Sequence, residues 1–266
     1  MSFVEVVTYM TLGVLPVFLV IDLFYGARKF NTVRWWRVRA FAVTLFIFGL
    51  SFVFPMFWSR VLGERSLLNL SGLGMIGGAI TGVLVYELVH YWYHRSIHRS
   101  DVLFRSFHQM HHSAEAIDAW SAYYIAPQDA FMFSSIGTLV LGPLMGLSLE
   151  AVVIANLFLA FNAVFQHANI RTPRWLGYII QRPESHGVHH QRGVHASNYS
   201  DLPIWDIVFG TFDNPETFEA EVGYWKGAST RLRDMMLFRD VASQKPLQEF
   251  QDTQEMELEV AASSAA

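Results

Sequence analysis

The chain has 266 residues, no cysteine and a net charge of −4, and 52% of its residues are hydrophobic. The lack of cysteine excludes disulfides, thiolate metal sites and catalytic thiols, so any metal must be bound by nitrogen or oxygen ligands. The small negative charge does not favour nucleic acid as a partner. Only 16% of the residues are charged, which is unusual for a soluble domain.

Three apolar runs in the N-terminal part of the chain predict membrane helices, because about 20 apolar residues span a bilayer. The runs cover residues 3–24, 40–58 and 67–89. The first lacks a basic leading segment and a cleavage site, which favours a retained helix over a signal peptide. In the third run, Gly74, Gly78 and Gly82 recur every four residues, a spacing that favours close approach of another helix.

A fourth apolar stretch, residues 131–165, is too long for one span and is interrupted at Pro143 and Gly146. It predicts two helices that either both cross the membrane or enter it and return. The predicted fold is therefore all-α, an integral membrane helical bundle with four to five membrane helices. We expect residues 1–242 to form this domain and the acidic stretch 243–266 to be a disordered tail.

The histidines are confined to one part of the chain. All eleven lie between positions 90 and 195. A His-x-x-His-His spacing occurs twice, and His94 and His98 share a helical face if the third helix continues. The two triplets, this pair and one isolated histidine give nine candidate metal ligands: His94, His98, His108, His111, His112, His167, His186, His189 and His190.

The spacing of these histidines predicts more than one metal. The two adjacent histidines of each triplet point in different directions, so one triplet can contribute ligands to two metals. Nine imidazoles also exceed what one metal needs, since a zinc site takes about four protein ligands. Two adjacent metals with about four histidines each fit the count.

Five further residues are expected to support the site without binding metal. Glu87, Asn198 and Asp206 are candidate acceptors for imidazole N–H groups, although turn or capping roles explain Asn198 and Asp206 as well. His90 lies one turn before His94, on the membrane side. His195 follows the last triplet, in a loop from which it can hydrogen-bond the site.

The basic loop at residues 28–39, with five Arg or Lys residues, predicts the orientation in the membrane. Such loops lie on the cytoplasmic side, so the loop at 59–66 is expected on the opposite side. The third helix then returns to the cytoplasm at His94. We therefore expect a histidine-rich helical cap with a di-metal site on the cytoplasmic face.

The motifs HRSIH, HQMHH, FQHANI and PESHGVHH…NYSDLPIWDIVFGTF resemble those of the fatty acid hydroxylase / sterol desaturase superfamily, in that family's order and spacing over residues 84–215. These are integral-membrane, histidine-rich di-iron oxygenases. The resemblance implies that the nine histidines bind two iron ions, which zinc can replace in a purified or crystallised form. Two features depart from the pattern: Arg171 stands where some members have a further histidine, and members often have other residues at His90 and His195.

The implied activity is O2-dependent hydroxylation, desaturation or other oxidation of a C–H bond in a lipid or sterol-like substrate. The chain has no flavin fingerprint or haem motif, so we expect a separate electron donor of ferredoxin or cytochrome type with its reductase. The alternatives are a metal transporter and a zinc-dependent membrane hydrolase. The histidines lie at helix ends and outside the membrane, whereas transporters place ionisable groups near the midplane. Neither the substrate nor the position oxidised follows from the residues.

Overall fold

A computed structural model describes residues 1–63, 65–194 and 196–244. This part of the chain is helical and contains no strand beyond one isolated bridge between Gln191 and Val222, which confirms the all-α prediction. The α-helices are α1 Phe3–Tyr25, α2 Trp36–Leu62, α3 Gly74–His98, α4 Asp101–Leu103, α5 Gln109–His112, α6 Pro127–Leu139, α7 Leu149–Phe165, α8 Pro183–His189, α9 Pro203–Phe209 and α10 Leu232–Met236. Two π-helical turns, Phe104–His108 and Val140–Leu144, and three 3₁₀ turns, Ser71–Leu73, Arg174–Tyr178 and Ala228–Thr230, complete the helical segments.

Among the described residues, three helical segments are long and apolar enough to cross a membrane: α1, α2 and Ser71–His98. Large apolar side chains of α1 and α2, such as Phe24, Phe46 and Phe52, are exposed, as expected for helices that contact lipid. The protein is therefore an integral membrane protein. Helix α7 is apolar but has only 17 residues. The total of four to five membrane helices therefore stays a prediction.

The glycines of α3 permit close packing of helices, as their spacing predicted. A Cβ atom at Gly78 would lie 2.9 Å from the Ala151 Cβ of α7, and one at Gly82 would lie 2.8 Å from side-chain atoms of Leu141 and Leu147. Larger residues would force α3 away from its neighbours. Gly74 differs, because it begins the helix with a positive φ of 67° and a Cβ atom added there would meet nothing within 4 Å.

The apolar stretch at 131–165 forms two helices, as predicted, with a break before α7. Gly146 adopts a φ of +61° there, a conformation that favours glycine. The break leaves backbone carbonyl groups without partners inside a helix. The segment before α3 supplies N–H donors for them. The N–H groups of Leu67, Leu68 and Leu70 donate to the carbonyl oxygens of Pro143, Leu144 and Met145 at 2.8, 3.0 and 2.7 Å. These bonds satisfy the polar backbone within an apolar bundle.

The predicted tail, residues 243–266, lies outside the described residues from 245 onward, as do Glu64 and His195. The division into a domain at 1–242 and a disordered tail stays a prediction.

Candidate metal centre

Helix α3 and the turns after it position the first five candidate ligands. The helix continues without interruption to His98, so His90, His94 and His98 share one face, as their spacing predicted. A π-helical turn then ends at His108, and α5 carries His111 and His112. Such turns interrupt α-helices frequently at functional sites.

A polar anchor positions α8, which carries the second triplet. Arg182 is fully buried at the start of this helix, and it donates to Glu184 Oε2 at 2.9 Å and to Asn214 Oδ1 at 3.0 Å. The charge of this guanidinium is thus compensated in the interior. A Cβ atom at Gly187 would overlap the Phe218 ring, so glycine allows α8 to pack against that ring.

The structure brings all nine predicted ligands together in two groups. Within each group, one potential ligand atom per residue lies within 4.8 Å of the others. The five-histidine group contains His94, His98, His108, His112 and His189. The four-histidine group contains His111, His167, His186 and His190. His98 is half-buried, and the other eight side chains are buried.

Adjacent histidines of each triplet belong to different groups, as the spacing predicted. His111 and His112 separate in this way, and so do His189 and His190. The groups nevertheless touch, because the rings of His112 and His190 stack with centroids 4.2 Å apart. Two metals bound in these groups would therefore be neighbours.

The Nε2 atoms within each group converge on one another. His94 Nε2 lies 2.9 Å from His108 Nε2 and 3.2 Å from His98 Nε2. In the second group, Nε2 contacts of 3.1 Å link His111 to His167, His167 to His186, and His186 to His190. Imidazoles on one metal have ligand atoms about 2.9–3.4 Å apart, since the metal–nitrogen bond is about 2.0–2.1 Å. The spacing therefore fits a metal in each group.

Hydrogen bonds at Nδ1 orient the rings of His94 and His108 so that their Nε2 atoms face each other. His94 Nδ1 lies 2.8 Å from the carbonyl oxygen of Tyr199, and His108 Nδ1 lies 2.6 Å from Asp129 Oδ2. Both acceptors require Nδ1–H, so in the neutral form of each ring Nε2 carries the lone pair, and the two Nε2 atoms lie 2.9 Å apart. Such lone pairs repel each other unless a cation lies between them, which favours metal binding.

The partners of the imidazole N–H groups differ from the predicted ones. Asp129, on α6, is fully buried and is a carboxylate partner that the sequence did not reveal. Backbone carbonyls supply further partners: Ala163 for His167 at 2.7 Å and Ser197 for His189 at 2.8 Å. Metal-binding histidines commonly donate their second ring N–H to a carboxylate or a backbone carbonyl oxygen, as here. No local sequence pattern identifies these acceptors.

Asn198 and Asp206 hold backbone segments instead of contacting an imidazole directly. Asp206 accepts from the N–H groups of Tyr199 and Ser200 at 2.8 and 2.9 Å, and so fixes the carbonyl that His94 contacts. Asn198 binds the backbone of Ser185 and Asp213. The expectation that these side chains accept from imidazoles is thus replaced by an indirect role, because both are positioned toward backbone N–H and C=O groups.

Glu87 and His90 form a separate group with Asp201, whose potential ligand atoms also lie within 4.8 Å of one another. Glu87 Oε2 lies 3.5 Å from His90 Nδ1 and accepts from Ser200 Oγ and the Asp201 N–H, both at 2.9 Å. Its imidazole contact is therefore to His90 and not to one of the nine predicted ligands. The position of His195 lies outside the described residues.

Burial favours the neutral form of five candidate ligands. Burial, reinforced by neighbouring imidazoles, lowers the pKa of His111, His112, His186 and His190 well below its ordinary value. Burial is also the main cause that lowers the pKa of His167, to about 4. A neutral imidazole is the form that binds metal.

A cavity of about 720 Å³ adjoins both groups. Helices α1, α2, α3, α6 and α7 contribute to its wall, which includes apolar residues such as Ile47, Phe52 and Leu159. Five candidate ligands also line it: His94, His108, His111, His167 and His186. The volume and apolar lining are those of a small-molecule site, so an apolar ligand in the cavity would reach the imidazoles.

The part of the chain that contains this site matches a known protein family. Residues 79–211, half of the chain, match the family model described as fatty acid hydroxylase. This range contains all nine candidate ligands, and the match confirms the resemblance inferred from the histidine motifs.

Curated relatives match over a similar range. Sphinganine C4-monooxygenase 1 of Arabidopsis thaliana is 25% identical over 137 residues, which are 50% of this chain and 53% of that protein. Very-long-chain aldehyde decarbonylase GL1-9 of Oryza sativa subsp. indica is 27% identical over 140 residues, 50% of this chain and 53% of that protein. Methylsterol monooxygenase erg25A of Aspergillus fumigatus is 31% identical over 144 residues, 51% of this chain and 47% of that protein.

The chain thus spans about half the length of the curated relatives it matches. No solved structure matches it.

Proposed function

Because the chain belongs to the fatty acid hydroxylase family, we propose that it is a membrane-bound non-haem di-iron oxidoreductase. It uses O2 and external electrons to hydroxylate, desaturate or otherwise oxidise a C–H bond of a lipid or sterol-like substrate. The observation that carries this proposal is the convergence of nine imidazoles in two groups, five of which line an apolar cavity. The printed names of the relatives, which include a sphinganine and a methylsterol monooxygenase, support it.

We assign one iron to each histidine group. The all-nitrogen ligand set suits a redox-active transition metal such as iron. When bound, the two irons supply the redox chemistry that activates O2 for C–H oxidation. The rest of the chemistry belongs to the protein, which must orient the ligands, bind the lipid and exclude water.

Specific residues perform these tasks. Asp129 and the carbonyl oxygens of Tyr199, Ala163 and Ser197 fix ring orientation, because each accepts an Nδ1–H bond. Such contacts also make the opposite nitrogen a better ligand. Apolar cavity residues bind the hydrocarbon part of the substrate and keep its reacting bond away from bulk water.

We propose that the histidine groups face the cytoplasm. The five basic residues within 28–39 support this orientation, because basic loops remain on the cytoplasmic side. A ferredoxin- or cytochrome-type donor with its reductase then delivers electrons from that side.

The two alternatives predict different chemistry. A metal transporter would move metal across the membrane, and a zinc-dependent hydrolase would cleave its substrate without O2. The names of the reported relatives support neither alternative.

The test uses the full chain, purified in lipid nanodiscs and loaded with iron. We expect two irons per chain and O2-dependent oxidation of co-purified or added lipids, detected by mass spectrometry with labelled O2. His111→Ala serves as the inactive control. Lipid cleavage that proceeds without O2, or metal transport into vesicles without lipid oxidation, would contradict the proposal.

A further inference from the structure

A set of polar side chains lies in the cavity wall beside the five-histidine group. It consists of Glu87, His90, Gln166 and Asp201, each less than a tenth exposed. His90, Gln166 and Asp201 line the cavity directly. The ring of His90 is parallel to that of His94, with centroids 5.5 Å apart. This polar set is thus next to the metal site but shares no residue with it.

Hydrogen bonding within the polar set is incomplete. Gln166 Nε2 donates to Asp201 Oδ1 at 2.8 Å, and Ser200 Oγ donates to Glu87 Oε2. Within the described part of the chain, Glu87 Oε1 and Gln166 Oε1 are buried without a hydrogen-bond partner, and His90 Nδ1 has only the 3.5 Å contact with Glu87 Oε2. Buried polar atoms in folded proteins nearly always have partners, so these atoms indicate a missing ligand.

The charges of the polar set favour a donor as that ligand. It contains two carboxylates and one imidazole, and among the described residues no lysine or arginine forms an ion pair with either carboxylate. Burial and the neighbouring Glu87 carboxylate raise the pKa of Asp201 more than His90 and Gln166 lower it, so the charged form is incompletely compensated. A hydroxyl or ammonium group would supply that compensation, whereas a carboxylate would be repelled.

We propose that these four residues form a polar subsite that binds a hydroxyl or ammonium group of the lipid substrate. This inference rests on the proposed function, since it takes the cavity as the lipid site. His90 stacks on His94 with ring centroids 5.5 Å apart, so a polar group bound in this subsite lies beside the five-histidine group. The substrate is therefore an amino or hydroxy lipid that is oxidised close to its polar group. A free fatty acid oxidised in the middle of its chain does not fit.

The test measures binding without turnover. The full chain is loaded with zinc, which has no redox chemistry, and is placed in nanodiscs. Four probes with the same chain length are titrated by calorimetry: hexadecylamine, hexadecanol, hexadecanoic acid and hexadecane. The variants are Asp201→Asn and, as an independent change to the same subsite, His90→Gln. Glu221→Gln, at a side chain that is 77% exposed and does not line the cavity, is the matched control.

We expect the wild-type protein to bind the amine and the alcohol about tenfold or more tightly than hexadecane, since a hydrogen bond to a charged group contributes ~1.5–3 kcal/mol and ~1.4 kcal/mol is tenfold. Asp201→Asn should weaken amine binding about tenfold and leave hexadecane binding unchanged, which also shows that the variant is folded. His90→Gln should reduce the same preference. Glu221→Gln should behave as the wild type.

Three results would overturn the subsite. These are tightest binding of hexadecanoic acid, equal weakening of all probes by Asp201→Asn, and a third metal ion per chain that this variant loses. The proposed function fails separately: selective binding of the amine with no O2-dependent product would refute the oxygenase and leave the subsite intact.

Discussion

His108 Nδ1 lies 2.6 Å from Asp129 Oδ2, and this contact joins the first histidine triplet to the start of α6. Both side chains are buried, so the carboxylate is in an environment where an imidazole N–H strongly stabilises it. The bond fixes the His108 ring with Nε2 toward the five-histidine group. Tyr93 Oη donates to the other oxygen of Asp129 at 3.2 Å.

Asp129→Asn should weaken metal binding and turnover by about 10–100-fold, which is typical for loss of such a partner. An amide accepts the Nδ1–H bond less strongly than a carboxylate does. Metal content after dialysis against a chelator, together with turnover, measures the effect. Tyr93→Phe is the control, because it removes the second bond to Asp129 and leaves His108 in place. Equal metal retention by Asp129→Asn and the wild type would show that the contact does not support the metal.

His111→Ala and His189→Ala remove one candidate ligand from each histidine group. Each change should abolish activity and lower the metal content, although the two residues are far apart in sequence. The double variant should lose little more activity than either single variant, because the effects of residues that act as a unit are non-additive. Full metal content with full turnover in either variant would refute a shared di-metal site.

His90→Gln should keep both metals and reduce turnover only partly. His90 belongs to the polar subsite with Glu87 and Asp201, beside His94. We expect the same result for His195→Gln, on sequence grounds alone. Metal analysis of the purified variants decides the matter, and loss of half the metal from either variant would make that histidine a ligand.

Reporter fusions test the orientation in the membrane. Helix α2 ends at Leu62, so a reporter after this residue should be non-cytoplasmic if the basic loop is cytoplasmic. A reporter after Asp213, beyond the last histidine motif, should be cytoplasmic. Placement of both reporters on the same side would contradict the orientation.

The metal-free protein should lose stability as the pH falls below about 6.5. Burial lowers the pKa of His167 to about 4 in the folded state, whereas an exposed histidine titrates near pH ~6.5. Between these values the unfolded chain binds protons that the folded chain does not, so acid favours unfolding. Thermal unfolding from pH 7 to 4 measures the loss, and His167→Gln should make the dependence shallower. An unfolding temperature that stays constant over this range would refute neutral burial of the imidazoles.

The sequence by itself predicted the long apolar helices, the continuation of α3 through His98 and the division of each triplet. These features depend on local periodicity, which is set by helix geometry over a few residues. For the same reason, the spacing of Gly78 and Gly82 predicted close helix packing without identifying Ala151 and Leu141 as neighbours.

Only the tertiary structure decided which distant residues support the candidate ligands. Asp129 contacts His108 because α6 packs beside the π-helical turn. The carbonyl oxygens of Tyr199 and Ser197 contact His94 and His189 in the same manner. Every residue has a carbonyl group, so no residue type marks the one that will accept from an imidazole. The partition of nine histidines into groups of five and four likewise depends on how α3, α5, α7 and α8 converge. Contacts between separate helices are set by long-range packing, and such packing leaves no periodic signal in the chain.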